Sequence, residues 1–124
     1  MGETKYVFKL EDVETKTIHG GSVISHIILH EQSCGAKNFS LLHNTMKAGL
    51  NCAYDTPGHF HEEEHCMYVL SGKGGISIDG TRYNLEPDMT VFVPPGAVHY
   101  VWADEKQDMQ YIIIYSPPGP EKKL

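Results

Sequence analysis

The sequence predicts an all-β fold. Short runs of alternating or β-branched residues recur along the chain, Gly and Pro interrupt them at close spacing, and no segment carries a helical stripe of useful length. Nine or so such strands in 124 residues suit one domain, 1–124, built as a sandwich or barrel with a jelly roll as the natural arrangement.

Taken in order, Tyr6-Val7-Phe8-Lys9-Leu10 alternates like a strand, and Glu11 to Glu14 with Gly20-Gly21 reads as a connection. Val23 to His30 is rich in β-branched residues and too short for a helix, so it reads as a strand. Asn38 to Met46 is a further strand, turned by Lys47-Ala48-Gly49, and Asp55-Thr56-Pro57-Gly58 is a turn within an irregular stretch. Met67 to Leu70 ends at Ser71-Gly72. Gly75 to Ile78 and Thr81 to Leu85 flank Asp79-Gly80, a pair suited to a type I′ hairpin because both central positions need positive φ. Thr90 to Val93 stops at Pro94-Pro95-Gly96, since proline cannot donate to a β-ladder. Val98 to Trp102 and Met109 to Tyr115 complete the set, and the Pro- and Gly-rich tail 116–124 is expected to be loose.

Composition narrows the function. Sixteen acidic against ten basic residues give a net charge of −6, which argues against nucleic acid and anionic membranes as partners. No apolar run reaches membrane-span length and the N-terminus reads as no signal peptide, so a cytoplasmic location is expected. Cys34, Cys52 and Cys66 are odd in number and form no C-x-x-C, which favours reduced thiols.

The compositional outlier is histidine, with eight residues. His59, His61 and His65 stand as H-x-H-x3-H, and His99 follows Pro94-Pro95-Gly96. Alternate residues of a strand share a face, so His59 and His61 point the same way, as two ligands of one metal must. Four neutral nitrogen donors of this kind could hold one divalent metal ion. A bulge before His65 would instead bring Glu64 to the metal. A lone histidine is more often a surface or hydrogen-bonded residue, and His19, His26 and His30 lie outside this pattern. His43 is a structural histidine first and a substrate-facing general base second.

Between about Ala48 and Ala103 the chain resembles the cupin family. The first motif of that family, G-x5-H-x-H-x3 or x4-E-x6-G, is met by His59, His61 and Gly72, with His65 in the glutamate place and Ala53 where the leading glycine stands. The second, G-x5-P-x-G-x2-H-x3-N, is met by Pro94, Gly96 and His99, with Asp88 and Ala103 at its outer positions. The resemblance implies a cupin double-stranded β-helix, a jelly-roll barrel, and a small single-domain (monocupin) protein with one divalent transition metal ion, Mn, Fe, Zn or Ni, held by His59, His61, His65 and His99. Histidine in place of glutamate removes a negative charge from the ligand set, which favours anionic oxygen ligands on the ion.

The function implied is a metal-dependent enzyme acting on a small oxygenated organic molecule: a carboxylate, diketone or sugar-derived compound. Dioxygenase and isomerase, lyase or decarboxylase chemistry are both open, and a non-catalytic small-molecule binding or sensor module is the rival. Strand parity sets Met67, Val69 and Val101 inward and Cys66, Tyr68, Leu70, Tyr100 and Trp102 outward. Outward Tyr68, Tyr100 and Trp102 suggest a self-association face and a homodimer. Phe39, Phe92 and Tyr111 suit a core or pocket wall, and Tyr54 could donate a hydrogen bond to a ligand.

Overall fold

A computed structural model describes residues 6–50 and 62–123. The chain forms two antiparallel sheets packed face to face. Nine strands are described: β1 (Glu14–Ile18), β2 (Val23–Leu29), β3 (Ser40–Met46), β4 (Glu64–Ser71), β5 (Gly74–Ile78), β6 (Thr81–Leu85), β7 (Thr90–Val93), β8 (His99–Ala103) and β9 (Met109–Ser116). A six-stranded sheet runs β1-β2-β3-β9-β4-β7 and a three-stranded sheet runs β6-β5-β8. This is the all-β jelly roll expected.

Side chains alternating on these strands build the core. Val23, Ile27, Leu42, Met46, Met67, Val69 and Met109 are buried from the large sheet, and Ile76, Leu85 and Val101 meet them from the small one. The inward parity expected for Met67, Val69 and Val101 is observed. Each buried Leu, Met or Ile contributes roughly 1.5–3 kcal/mol of apolar transfer free energy.

The turns follow from residue chemistry. Asp79 and Gly80 both take positive φ, 47° and 88°, as a type I′ hairpin demands. At Pro94-Pro95-Gly96-Ala97, the Ala97 amide donates to the Pro94 carbonyl (3.2 Å), and Gly96 supplies the positive φ of a type II turn. That turn delivers His99 to the start of β8. Asp88, where the resemblance has glycine, also sits at φ 70°, a conformation Asp tolerates better than most residues.

Several expectations are corrected. Tyr6 to Leu10 is not a strand: Tyr6 and Val7 are exposed, and Leu10–Asp12 is a 3-10 turn. The segment read as a connection contains β1 instead, whose Glu14 pairs with Ile27 and whose Ile18 pairs with Val23. The tail is tied down rather than loose. Glu121, within the 3-10 turn Pro120–Lys123, is buried, and its Oε1 accepts from Ser40 Oγ (2.7 Å) and the Gly119 amide (2.9 Å). Finally, Tyr68, Tyr100 and Trp102 do not share a face. Tyr68 is on the large sheet, while Tyr100 and Trp102 are on the small one beneath Arg82, whose guanidinium lies 4.1 Å from the Trp102 ring and donates to Tyr100 Oη (2.8 Å).

The outer face of the large sheet is ordered in cross-strand rows. One runs Thr90, Tyr68, Ile112, His43, His26 and Thr15. The next runs Phe92, Cys66, Ile114 and Leu41. Phe92 and Phe39 are therefore exposed residues and not pocket walls.

Candidate metal centre

Alternation along β4 decides where His65 points. It shares the inward face with Met67 and Val69 and is itself buried. His99 opens β8 in the opposite sheet and is buried with Val101. The two rings come from different sheets and meet with centroids 4.8 Å apart. They line a narrow cavity of about 30 Å³ together with His19, Asn44, Tyr111 and Tyr115.

The hydrogen bonding of His99 is informative. Its Nδ1 lies 2.9 Å from the Ala97 carbonyl, an acceptor, so Nδ1 carries the proton and donates. The lone pair is then on Nε2, the tautomer a metal-ligating histidine adopts when a backbone carbonyl holds its other nitrogen. Burial pushes the His99 pKa below the ordinary 6.5, against the opposing pull of the Ala97 hydrogen bond and the Asp79 charge. A neutral ring with an oriented lone pair fits a divalent transition metal. Asn44 Oδ1, on the cavity lining, is buried with no hydrogen-bond partner among the described residues.

Of the four sequence-predicted ligands, His65 and His99 are brought together. His59 and His61 lie outside the described residues, as do Tyr54 and Cys52. Among the described residues no three His, Cys, Asp or Glu side chains assemble as a metal group. Glu64 and His65 are on opposite faces of β4. The pairing of β4 with β9 runs in register from Glu64 to Val69 without a bulge, which leaves Glu64 exposed on the other face.

Two residues of the cavity were not singled out as site residues. His19 follows β1 at φ 52°, next to Gly20-Gly21, and lines the cavity. Burial lowers its pKa, and the nearby His99 lowers it further. Asn44 faces inward where its neighbour His43 faces out. His43 packs edge-on against His26 (5.6 Å) on the outer face, which removes it as a substrate-facing base.

His43 is also held below the ordinary histidine value, by burial first and His26 second, with hydrogen bonds to its own backbone and Gln110 opposing. His19, His43 and His99 thus share one sign. Each prefers the neutral form when folded, so the unfolded chain takes up protons first on acidification. Stability from these groups is complete above their unfolded pKa and is lost as pH falls through the depressed folded values. The melting temperature of the metal-free chain is therefore expected to hold near neutrality and to drop below about pH 6.5. A rise in melting temperature over the same acidification would contradict the assignment.

Two antiparallel sheets packed as a jelly roll place the chain among small β-barrel proteins. The cupin domain profile matches residues 53–115, and the chain belongs to the cupin family. No curated protein matches the sequence. Among solved structures it is similar to the polyketide cyclase RemF from Streptomyces resistomycificus, with 23% identity, a TM-score of 0.80 and coverage of 94% of this chain and 82% of that one. An RmlC-like cupin from Shewanella frigidimarina aligns with 19% identity and a TM-score of 0.78 over 98% of this chain and 99% of that one. The ectoine synthase from P. lautus aligns with 22% identity and a TM-score of 0.77 over 96% and 83%. At these identities the likeness establishes the fold. Among the described residues no helix is long and apolar enough to cross a membrane.

Proposed function

We propose that the chain is a metal-dependent cupin enzyme that carries out non-redox chemistry, of the isomerase, lyase or decarboxylase kind, on a small anionic oxygenated molecule. The observation that carries the reading is the meeting of two buried imidazoles from opposite sheets, His65 and His99, with the His99 lone pair set by the Ala97 carbonyl. His59, His61, His65 and His99 would hold one divalent ion, which when bound supplies a Lewis acid for a carbonyl or enolate oxygen.

The chain's own residues suit proton movement beside that centre. His19, kept neutral by burial, can accept a proton at a ring nitrogen. Asn44 Oδ1 has acceptor capacity for a substrate hydroxyl on the cavity lining. Met67, Val101 and Ile113 give the cavity an apolar wall beside both. The names of two structural neighbours, a polyketide cyclase and an ectoine synthase, are in keeping with small-molecule chemistry on this fold.

The test is an anaerobic turnover screen of the metal-loaded protein against small oxoacids, diketones and sugar-derived acids. Turnover without oxygen, lost on chelation, is the expected result. Turnover that requires oxygen would replace the proposal with a dioxygenase, and binding without turnover would replace it with a binding module.

A further inference from the structure

We propose that the C-terminal turn builds a second small-molecule site, separate from the metal centre, in which the carboxylate of Glu121 receives the ammonium group of a small primary amine. The site is a cavity of about 400 Å³ lined from edge strand β1, the short helix Glu31–Cys34 and the 3-10 turn Pro120–Lys123. That volume lies at the small end of ligand pockets. None of its lining residues lines the cavity of His65 and His99.

The charges around the cavity single out Glu121. Three glutamates and two lysines line it. Glu14 lies 3.7 Å from Lys16 Nζ and Glu31 lies 3.2 Å from Lys122 Nζ, so each lysine has a glutamate of its own. His30, the remaining titratable group on the lining, is 4.0 Å from Glu14. Glu121 is in none of these pairs, although it is the most deeply buried of the three glutamates, at 3% exposed. Its Oε1 accepts from Ser40 Oγ and the Gly119 amide, and its Oε2 is buried with no hydrogen-bond partner among the described residues. A carboxylate withdrawn from water with one oxygen unanswered bears a desolvation cost that a cation carrying N–H donors would offset.

The surroundings select an ammonium over a metal ion. Among the described residues no three His, Cys, Asp or Glu side chains assemble as a metal group, so a divalent ion would lack a protein shell here. An ammonium needs less: the Glu121 oxygen and the Gln32 carboxamide, on the same lining, can both accept from it. Ile27, paired with Glu14 across the sheet, gives a short alkyl chain an apolar surface. Entry is past Glu31 and Lys122, whose side chains are 64% and 58% exposed. An ion pair that open contributes little, so it can part for a ligand.

Calorimetric titration of the purified full chain at neutral pH with n-butylamine, and with n-butanol as the uncharged control, tests the proposal. The amine is expected to bind one per chain with a dissociation constant of about 1 mM or tighter, and the alcohol to show no binding at that concentration. Binding is expected to survive chelation of the metal centre, which separates this site from an amine ligating the ion. Glu121→Gln keeps an acceptor for Ser40 and removes the charge. It is expected to weaken the amine about 10-fold or more, while Glu31→Gln, on the same lining, leaves it within about 3-fold. A crystal structure with n-butylamine is the second readout, and it stands even where Glu121→Gln does not fold: the amine nitrogen is expected within hydrogen-bond distance of Glu121 Oε2. No binding by the parent chain, equal affinity in Glu121→Gln, equal binding of the alcohol, loss of binding on chelation, or an amine seated elsewhere in the crystal would each overturn the proposal.

Discussion

His65→Ala is expected to empty the centre of metal and to abolish turnover while the protein stays folded. The imidazole is 4% exposed and its ring meets that of His99, centroids 4.8 Å apart, in a cavity of about 30 Å³, so its loss removes one of the two proposed ligands that the described residues bring together. Changing the groups that merely orient metal ligands costs about 10–100-fold in affinity, so deleting a ligand should cost at least 100-fold. Glu64→Ala serves as the comparison. One residue earlier on the same strand, Glu64 is exposed on the opposite face, and its loss should leave metal content and turnover near the parent values. Loss in Glu64→Ala with retention in His65→Ala would reverse the ligand assignment. His65→Glu adds a finer test. A carboxylate there should keep the ion but reduce its draw on anionic ligands, because one positive charge of the ion would be offset. Weaker binding of a carboxylate ligand at unchanged metal content is the expected readout.

Gly72→Ala is expected to be among the most destabilising single changes in the chain. Gly72 ends β4 at φ 79°, in the left-handed region. A Cβ built there would run into the Asp108 carbonyl oxygen, with Met109 Cα close behind. The conformation alone costs a non-glycine residue about 1–2 kcal/mol, and forcing an atom into a packed site typically adds about 1–3 kcal/mol. The sum is a large share of a total stability on the order of 5–15 kcal/mol. Gly21→Ala separates the two contributions, since Gly21 has φ 96° but open space where its Cβ would stand. Urea denaturation should show a small loss for Gly21→Ala and a much larger one for Gly72→Ala. Equal losses would mean that the contact with Asp108 has no energetic weight.

Gly72 also shows why so much of the fold was legible. The residues that dictate turns do so through backbone geometry that needs no tertiary information. The Asp79-Gly80 hairpin, the stop at Pro94-Pro95-Gly96 and the glycine closing the first motif are all of this kind. Strand parity was legible for the same reason, because a period of two sets Met67 and Val69 on the face of His65 once His65 is taken as inward.

What escaped the sequence depended on neighbours. β1 was missed because Glu14-Thr15-Lys16-Thr17-Ile18 is polar at most positions, as edge strands often are, whereas Tyr6 to Leu10 has the alternation of a strand but no strand partner among the described residues. His43 and Asn44 are consecutive, and only the register of β3 against β2 and β9 tells which faces the cavity. His19 is brought to the centre by a turn whose destination no local pattern encodes, although its place beside Gly20-Gly21 was a hint. The tail was expected to be loose from its Pro and Gly content. The bond from Ser40 to Glu121 spans most of the chain and could not be read from either segment.

The measurement that bears most directly on the central claim is elemental analysis of the freshly purified protein, with thermal melts before and after chelation. The four-histidine account predicts close to one divalent transition-metal ion per chain. It also predicts a clear fall in melting temperature on chelation, reversed by adding the metal back, since an ion at about 1,000 times its dissociation constant stabilises the folded state by about 4 kcal/mol. A protein that carries no metal, and whose melting temperature does not respond to any of Mn, Fe, Zn or Ni, would contradict it.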